Sequence, residues 1–174
     1  RVVFTGAADG ARRAEVLSVA AGEEPRLHAQ MLVTDAVATA PAAADIAALS
    51  LAHPRMIPAE RVYAAFDAMG LVYGPGHRAI LSLGLGRDAN GERSVLGHLR
   101  LPDAVAGTAS AYALHPSLLD GAFQAAIGLV LEEDGTAPKG AALPFAIEAV
   151  EIFGRLDTDL WVHIQPRPAS GGDP

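Results

Sequence analysis

Between Leu118 and Leu131 the sequence runs Leu-Leu-Asp-Gly-Ala-Phe-Gln-Ala-Ala-Ile-Gly-Leu-Val-Leu, and only Asp120 and Gln124 are polar. A helix that is apolar all round has no side to give to water and is buried. Burying it takes other elements around it, so this segment dictates a layered fold with a helix at its centre. The helix is read from His115 to Leu131. Its two polar residues, four apart, fall on one face a turn from each other.

The rest of the chain supplies a sheet to cover that helix. Val2-Val3-Phe4, Glu15 to Val19 and Arg26 to Val33 read as strands separated by the turn formers Gly22 and Pro25. In the third of them Leu27, Ala29 and Met31 alternate with His28, Gln30 and Leu32, the pattern of an antiparallel strand with one solvated face. Residues 35–56, Ala-rich with Pro41 and Pro54, read as a linker with a short helical stretch. Pro58 to Met69 is a helix with Pro58 at its first position, Gly70 past its end, and Val62, Phe66 and Met69 as its apolar stripe. Leu71 to Gly76 is a tight turn. His77–Leu85 and Ser94–Leu101 are strands joined around Asn90-Gly91, a hairpin signal. Leu143–Phe153 and Leu160–Gln165 close the fold as two more strands, and the Pro, Ser and Gly tail is expected to be disordered. The fold class expected is therefore α+β: a mostly antiparallel sheet wrapped round one long central helix, the hot-dog arrangement.

A carboxylate inside a buried helix is costly unless paired or protonated. Burial favours the neutral acid, which makes Asp120 a candidate proton donor, with Gln124 holding its rotamer by a hydrogen bond. The helix dipole acts in the opposite sense. The alternative involves no chemistry. Ser117-Leu118-Leu119-Asp120 fits a capping box with Ser117 at the N-cap. Against the cap stand Pro116, which suits the first helical turn and would start the helix ahead of Ser117, and Gln124, which a cap leaves unexplained.

Composition removes several function classes. Lys plus Arg is 13 against 20 Asp plus Glu, a formal charge of −7, so there is no basic footprint for nucleic acid. With no Cys, disulfides, zinc–thiolate sites and a Cys nucleophile are excluded. No apolar run reaches the roughly 20 residues of a membrane-spanning helix. Gly84-x-Gly86 followed by Gly91 does not have dinucleotide-loop spacing and lies in a hairpin. His28, His53, His98 and His163 lack metal-ligand spacing and read as satisfied or surface histidines, so no metal is expected. Glu132, Glu133 and Asp134 read as a solvated helix end, and Asp67 needs no special role.

Three short motifs stand in order over the second half of the chain. Leu71-Val72-Tyr73-Gly74-Pro75-Gly76-His77 resembles the Y-G-P-x-F stretch of polyketide synthase dehydratase domains. Leu114 to Gln124 resembles that family's L-H-P-x-L-L-D-x-x-x-Q segment, and Leu143-Pro144-Phe145 with Val150-Glu151-Ile152 its L-P-F strand. The resemblance implies a double hot-dog, of which this chain is the second half. Residues 1–34 would be closing strands of the first half, 35–56 a linker, 57–167 the second half and 168–174 a tail. It implies Asp120 as general acid and Gln124 as its orienter. It implies Tyr73, Gly74, Pro75, His115, Pro116, Leu143 and Pro144 as substrate-binding residues. His115 is also read as a cap of its helix, and Tyr73 as a core residue. The reaction implied is loss of water from a 3-hydroxyacyl group, with no cofactor beyond the phosphopantetheine arm of an acyl carrier protein. The partners implied are that carrier, the N-terminal hot-dog half, other synthase domains and a second copy in a homodimer of the parent, all cytoplasmic. Arg1-Val2-Val3-Phe4 reads as a strand interior, as of a chain continued from something longer.

In that family the α-proton is taken by a His in an H-x-x-x-G-x-x-x-x-P motif. Four residues beyond His28, His53, His77, His98, His115 and His163 stand Leu32, Ile57, Leu81, Pro102, Leu119 and Arg167, so the chain carries the acid and lacks the base. The alternatives are a double-bond-shifting or pyran-forming relative, or an inert structural half-domain. His77 stands where the family has Phe, and Ala146-Ile147 follows Phe145 where many members have Trp. Both are expected to reshape the acyl pocket without touching the Asp120–Gln124 pair.

Overall fold

The computed structural model describes residues 1–6, 10–35, 39–132, 135–137 and 146–167. The chain forms two compact units, Arg1–Ala40 and Pro41–Pro174.

The first unit is a three-stranded antiparallel sheet of β1 (Val2–Gly6), β2 (Arg12–Ser18) and β3 (Arg26–Val33) in that order. Val2 pairs with Val16, and Ala14 with Met31, with a register shift between Val16 and Leu17. The expected one-sided alternation of β3 is not found: Leu27, Met31 and Leu32 are 47%, 51% and 62% exposed. Both faces of the strand are open because no α-helix or second sheet among the described residues of the unit serves as the other layer.

The second unit holds the core. It begins with α1 (Ile46–Ala52), whose N-cap Asp45 accepts a hydrogen bond from Ala48 N at 3.0 Å. Then follow β4 (Arg55–Pro58), α2 (Ala59–Ala68), β5 (Ile80–Arg87), β6 (Arg93–Arg100), α3 (Pro116–Ala125) and β7 (Asp159–Ile164). The sheet is antiparallel throughout, in the order β4-β5-β6-β7. The α+β hot-dog expectation is met here by an antiparallel sheet packed against a central helix. Ile80, Leu83, Val95, Leu99, Leu118 and Ala125 are buried at their junction. Gly121 sets the closeness of the helix to the sheet, since a Cβ there would stand 2.9 Å from Ala79 Cβ.

Several sequence expectations are corrected. Strand β4 begins inside the expected linker. It is an edge strand, so Pro54 and Pro58 at its limits deprive the sheet of no hydrogen bond. Pro58 is the N-cap of α2 and not its first helical residue. Tyr63 and Ala65 join the expected Val62 and Phe66 on the buried face of α2. The turn near Tyr73 ends in a 3-10 helix over Pro75–His77, so β5 starts at Ile80 and not at His77. In the hairpin Gly91 N donates to Asp88 O at 3.0 Å, and Gly91 takes φ +81°, which a side chain would resist. An unexpected 3-10 stretch covers Asp103–Ala111.

The central helix is shorter than expected. After Ala125 it tightens into a 3-10 turn, Ala126–Leu129, where a Cβ on Gly128 would stand 2.8 Å from Val95 Cγ2. Of the expected strand over 143–153, residues 146–153 form none: Ile147, Val150, Ile152 and Phe153 are exposed, and β7 occupies the place beside β6. An apolar alternation becomes a strand only where another strand offers its backbone. Leu143, Pro144, Glu133, Asp134 and the 168–174 tail lie outside the described residues.

Candidate active site

The site is assembled from α2, the 3-10 turn at Pro75–His77, the start of β5 and the first turns of α3. Gly74 and Pro75 open the 3-10 turn, and His77 N donates to Gly74 O at 2.9 Å. Pro75 fixes φ at the first turn position, which is why the Tyr-Gly-Pro sequence delivers His77 where it does. Tyr73 packs edge-on against Phe66, ring centroids 4.9 Å apart, and faces Tyr63 at 6.2 Å.

Helix α3 begins at its N-cap His115. The Nδ1 of His115 accepts from Ser117 N at 3.1 Å, and its Nε2 lies 2.9 Å from Thr108 Oγ1. Thr108 in turn donates to Val105 O at 2.7 Å, so the ring is the neutral Nε2–H form with both nitrogens committed. His115 therefore caps the helix. Ser117 is not the N-cap, and Asp120 lies beyond the first helical turn, so the capping-box reading of Asp120 fails. Pro116 stands at the first helical position.

Asp120 and Gln124 do share a face, and they touch: Gln124 Nε2 donates to Asp120 Oδ2 at 2.8 Å. The second amide hydrogen of Gln124 goes to His77 O at 2.9 Å, and Tyr63 OH donates to Gln124 Oε1 at 3.2 Å. Tyr63 OH accepts from Ile80 N at 3.1 Å. Because a backbone carbonyl only accepts, the His77 O contact fixes which end of the Gln124 amide is nitrogen. Among the described residues no buried side-chain polar atom lacks a partner, the condition under which a buried polar network rigidifies its site.

Two expectations about this face are corrected. Gln124 is buried, but the Asp120 side chain is 38% exposed, so the burial on which its cost was argued is absent. The helix turns this carboxylate to its open edge and keeps Gln124 inside. Second, His77 does touch the pair: its Nδ1 lies 2.9 Å from Asp120 Oδ2, with the His77 side chain 57% exposed. Tyr63 and His77 are the site residues that sequence reasoning missed. For His77 a signal was present, its departure from the resembled motif. For Tyr63 there was none.

Burial pushes the Tyr63 phenol up to about 12, against the opposing hydrogen bond from Ile80 N and the Arg78 guanidinium, whose carbon stands 4.3 Å from the ring centroid. Burial also raises Tyr73, with the Asp120 charge adding in the same direction. Both phenols are neutral near pH 7, so Asp120 and His77 are the titratable groups with open access. Among the described residues no group of His, Asp or Glu is arranged to hold a metal, and no helix is long and apolar enough to cross a membrane. A cavity of about 320 Å³ bordered by Arg55, Arg87 and Arg93 includes no residue of this network.

Residues 41–173 match the family described as "Polyketide synthase dehydratase N-terminal domain". The polyketide synthase PksL of Bacillus subtilis is 43% identical over 103 residues, 59% of this chain and 2% of that protein. The polyketide synthase ThaG of Burkholderia thailandensis is 30% identical over 158 residues, 89% of this chain and 3% of that protein. The relatives are thus large proteins of which the chain spans a small part. A dehydratase domain of a trans-AT polyketide synthase from Brevibacillus brevis superposes with a TM-score of 0.66 at 30% identity, covering 77% of this chain and 46% of that one. The dehydratase domain from the CurK module of the curacin synthase superposes with a TM-score of 0.73 at 24% identity, covering 97% and 56%. The chain spans about half the length of these solved domains.

Proposed function

The chain belongs to the polyketide synthase dehydratase family, and from that premise we propose that it is the second half of a dehydratase domain, supplying the acid for loss of water from a 3-hydroxyacyl thioester. The D-x-x-x-Q segment supports the second-half assignment, although the family's description carries the word N-terminal. A base from the other half takes the α-proton. The electron pair of that C–H bond becomes the new double bond, the C3–O bond breaks, and Asp120 passes its proton to the departing oxygen, which leaves as water. Gln124 orients the carboxyl group and stabilises the carboxylate that forms. Tyr73, Gly74, Pro75 and the α3 entry at His115-Pro116 border the acyl chain, and Leu143 and Pro144, outside the described residues, are assigned to substrate binding on the resemblance alone.

The acyl group arrives on the phosphopantetheine arm of an acyl carrier protein, and the chemistry needs no further cofactor. The N-terminal half and neighbouring synthase domains are its partners, in a parent that dimerises in the cytoplasm. In the CurK dehydratase a His-to-Phe and an Asp-to-Asn substitution each give an inactive mutant, a two-residue requirement of the kind proposed here.

The observation that carries the reading is Asp120: a carboxylate held by an amide on one oxygen, in a side chain that is 38% exposed. The test is turnover of a 3-hydroxybutyryl thioester by the 174-residue chain alone and with the His-bearing half of a dehydratase domain added. No dehydration alone and dehydration on addition is the expected result. A base contributes roughly 10²–10⁴-fold, so turnover by the chain alone at the rate of an intact domain contradicts the reading.

A further inference from the structure

The geometry points to His77 as a positioning residue for Asp120: its Nδ1–H and the Gln124 amide both donate to Oδ2, which puts the transferable proton on Oδ1. The inference rests on the dehydratase reading above and adds which oxygen does the work and what selects it.

Gln124 Nε2 is fixed as a donor, because the same amide nitrogen also donates to the His77 carbonyl oxygen at 2.9 Å. Asp120 Oδ2 is therefore an acceptor on that side. His77 Nδ1 meets the same oxygen at 2.9 Å from the solvent side. An oxygen that accepts two N–H groups is the carbonyl-type oxygen of a protonated carboxyl group. The acidic hydrogen is left on the other oxygen. When that hydrogen departs with the leaving hydroxyl, the two donors already face the new carboxylate charge and nothing has to reorganise. With the hydrogen on Nε2 instead, a bare Nδ1 would face Oδ2. The carboxyl proton would then bridge Asp120 and His77 and be withheld from substrate.

His77 is placed for this by its own backbone. Its carbonyl accepts from Gln124 and its amide closes the Gly74 turn at 2.9 Å. Ring and acid are thereby tied through one side chain. A Phe at this position would fill similar space and donate nothing, so the substitution separates a packing role from a donor role.

Two readouts test it. In the 174-residue chain, imidazole nitrogen NMR should find His77 with its hydrogen on Nδ1, and that preference should disappear in Asp120→Ala. Hydrogen on Nε2 in the unsubstituted chain overturns the inference. In the chain combined with the His-bearing half, His77→Phe should lower kcat about tenfold or more with KM little changed. His77→Asn, whose amide nitrogen reaches the place of Nδ1, should recover most of it. His77→Phe at full kcat, or with KM alone altered, beside an inactive Asp120→Asn overturns the positioning role and leaves the acid standing. Full turnover by Asp120→Asn removes the acid and the positioning role together.

Discussion

Among the histidines of this chain that meet an oxygen on a distant element, His53 and His77 do opposite things. His53 is 2% exposed, with Nδ1 at 2.7 Å from Leu49 O and Nε2 at 2.9 Å from Ser94 Oγ. Leu49 O can only accept, so Nδ1 carries the hydrogen and Ser94 donates to Nε2. A serine hydroxyl on a histidine looks like an activated nucleophile, but Ser94 is wholly buried. Gly86 lies so close that a Cβ there would stand 2.3 Å from Ala52 O. This pair fastens α1 to the sheet. His77 and Asp120 have the same separation and the opposite exposure, with the partner a titratable carboxylate. Contact geometry alone does not separate a structural histidine from a working one; a working one also needs access and a partner able to give up a proton.

The comparison is broken if the two sites respond alike to substitution. His53→Ala should be the costliest, about 3 kcal/mol in denaturant titrations of the chain, because it opens a cavity and strands Ser94 Oγ and Leu49 O. A loss below about 1 kcal/mol would mean that the buried pair fastens little.

Tyr63→Phe comes next. It leaves Ile80 N–H and Gln124 Oε1 without Tyr63 and should cost about 1–2 kcal/mol. Tyr63 also has a pH signature. Its phenol is raised from 10.0 to about 12 in the folded chain. The folded state then holds this proton more tightly than the unfolded one. Its contribution is complete below pH 10 and is lost as pH rises through about 12. The phenylalanine variant should lack that part of the alkaline slope in melting curves taken across the window. An identical slope in both proteins would disprove the assignment. Smallest of all, His77→Ala should move stability by no more than about 0.5 kcal/mol, as befits an exposed pair. A cost equal to that of His53→Ala would make the two histidines equivalent after all.

The legible part of the site was the part written locally. Asp120 and Gln124 are four apart in a segment otherwise apolar, so helical geometry alone brings them together. Pro116 already argued that the helix starts before Ser117. Tyr63 and His77 reach the same network across 61 and 43 residues, distances over which no periodicity operates. The burial of Asp120 was misread for a related reason. Composition counts how apolar a helix is, whereas exposure depends on where the covering sheet ends. The strand read at 143–153 shows the same limit, for its described part has the alternation and, among the described residues, no strand beside it to pair with. The strands of the first unit were legible and their covered face was not, since that face depends on a second layer that the described residues of the unit do not supply.

The central claim is that Asp120 is an open acid held by a buried network, and Asp120→Asn tests it most directly. Asparagine keeps the size and an oxygen for Gln124 but has no carboxylic proton to give. In the chain combined with the His-bearing half, turnover of a 3-hydroxyacyl thioester should fall by at least about 10²-fold. The melting temperature of the variant chain should stay where it was. Full turnover with a lowered melting temperature would contradict the account and reduce Asp120 to a structural residue of its helix.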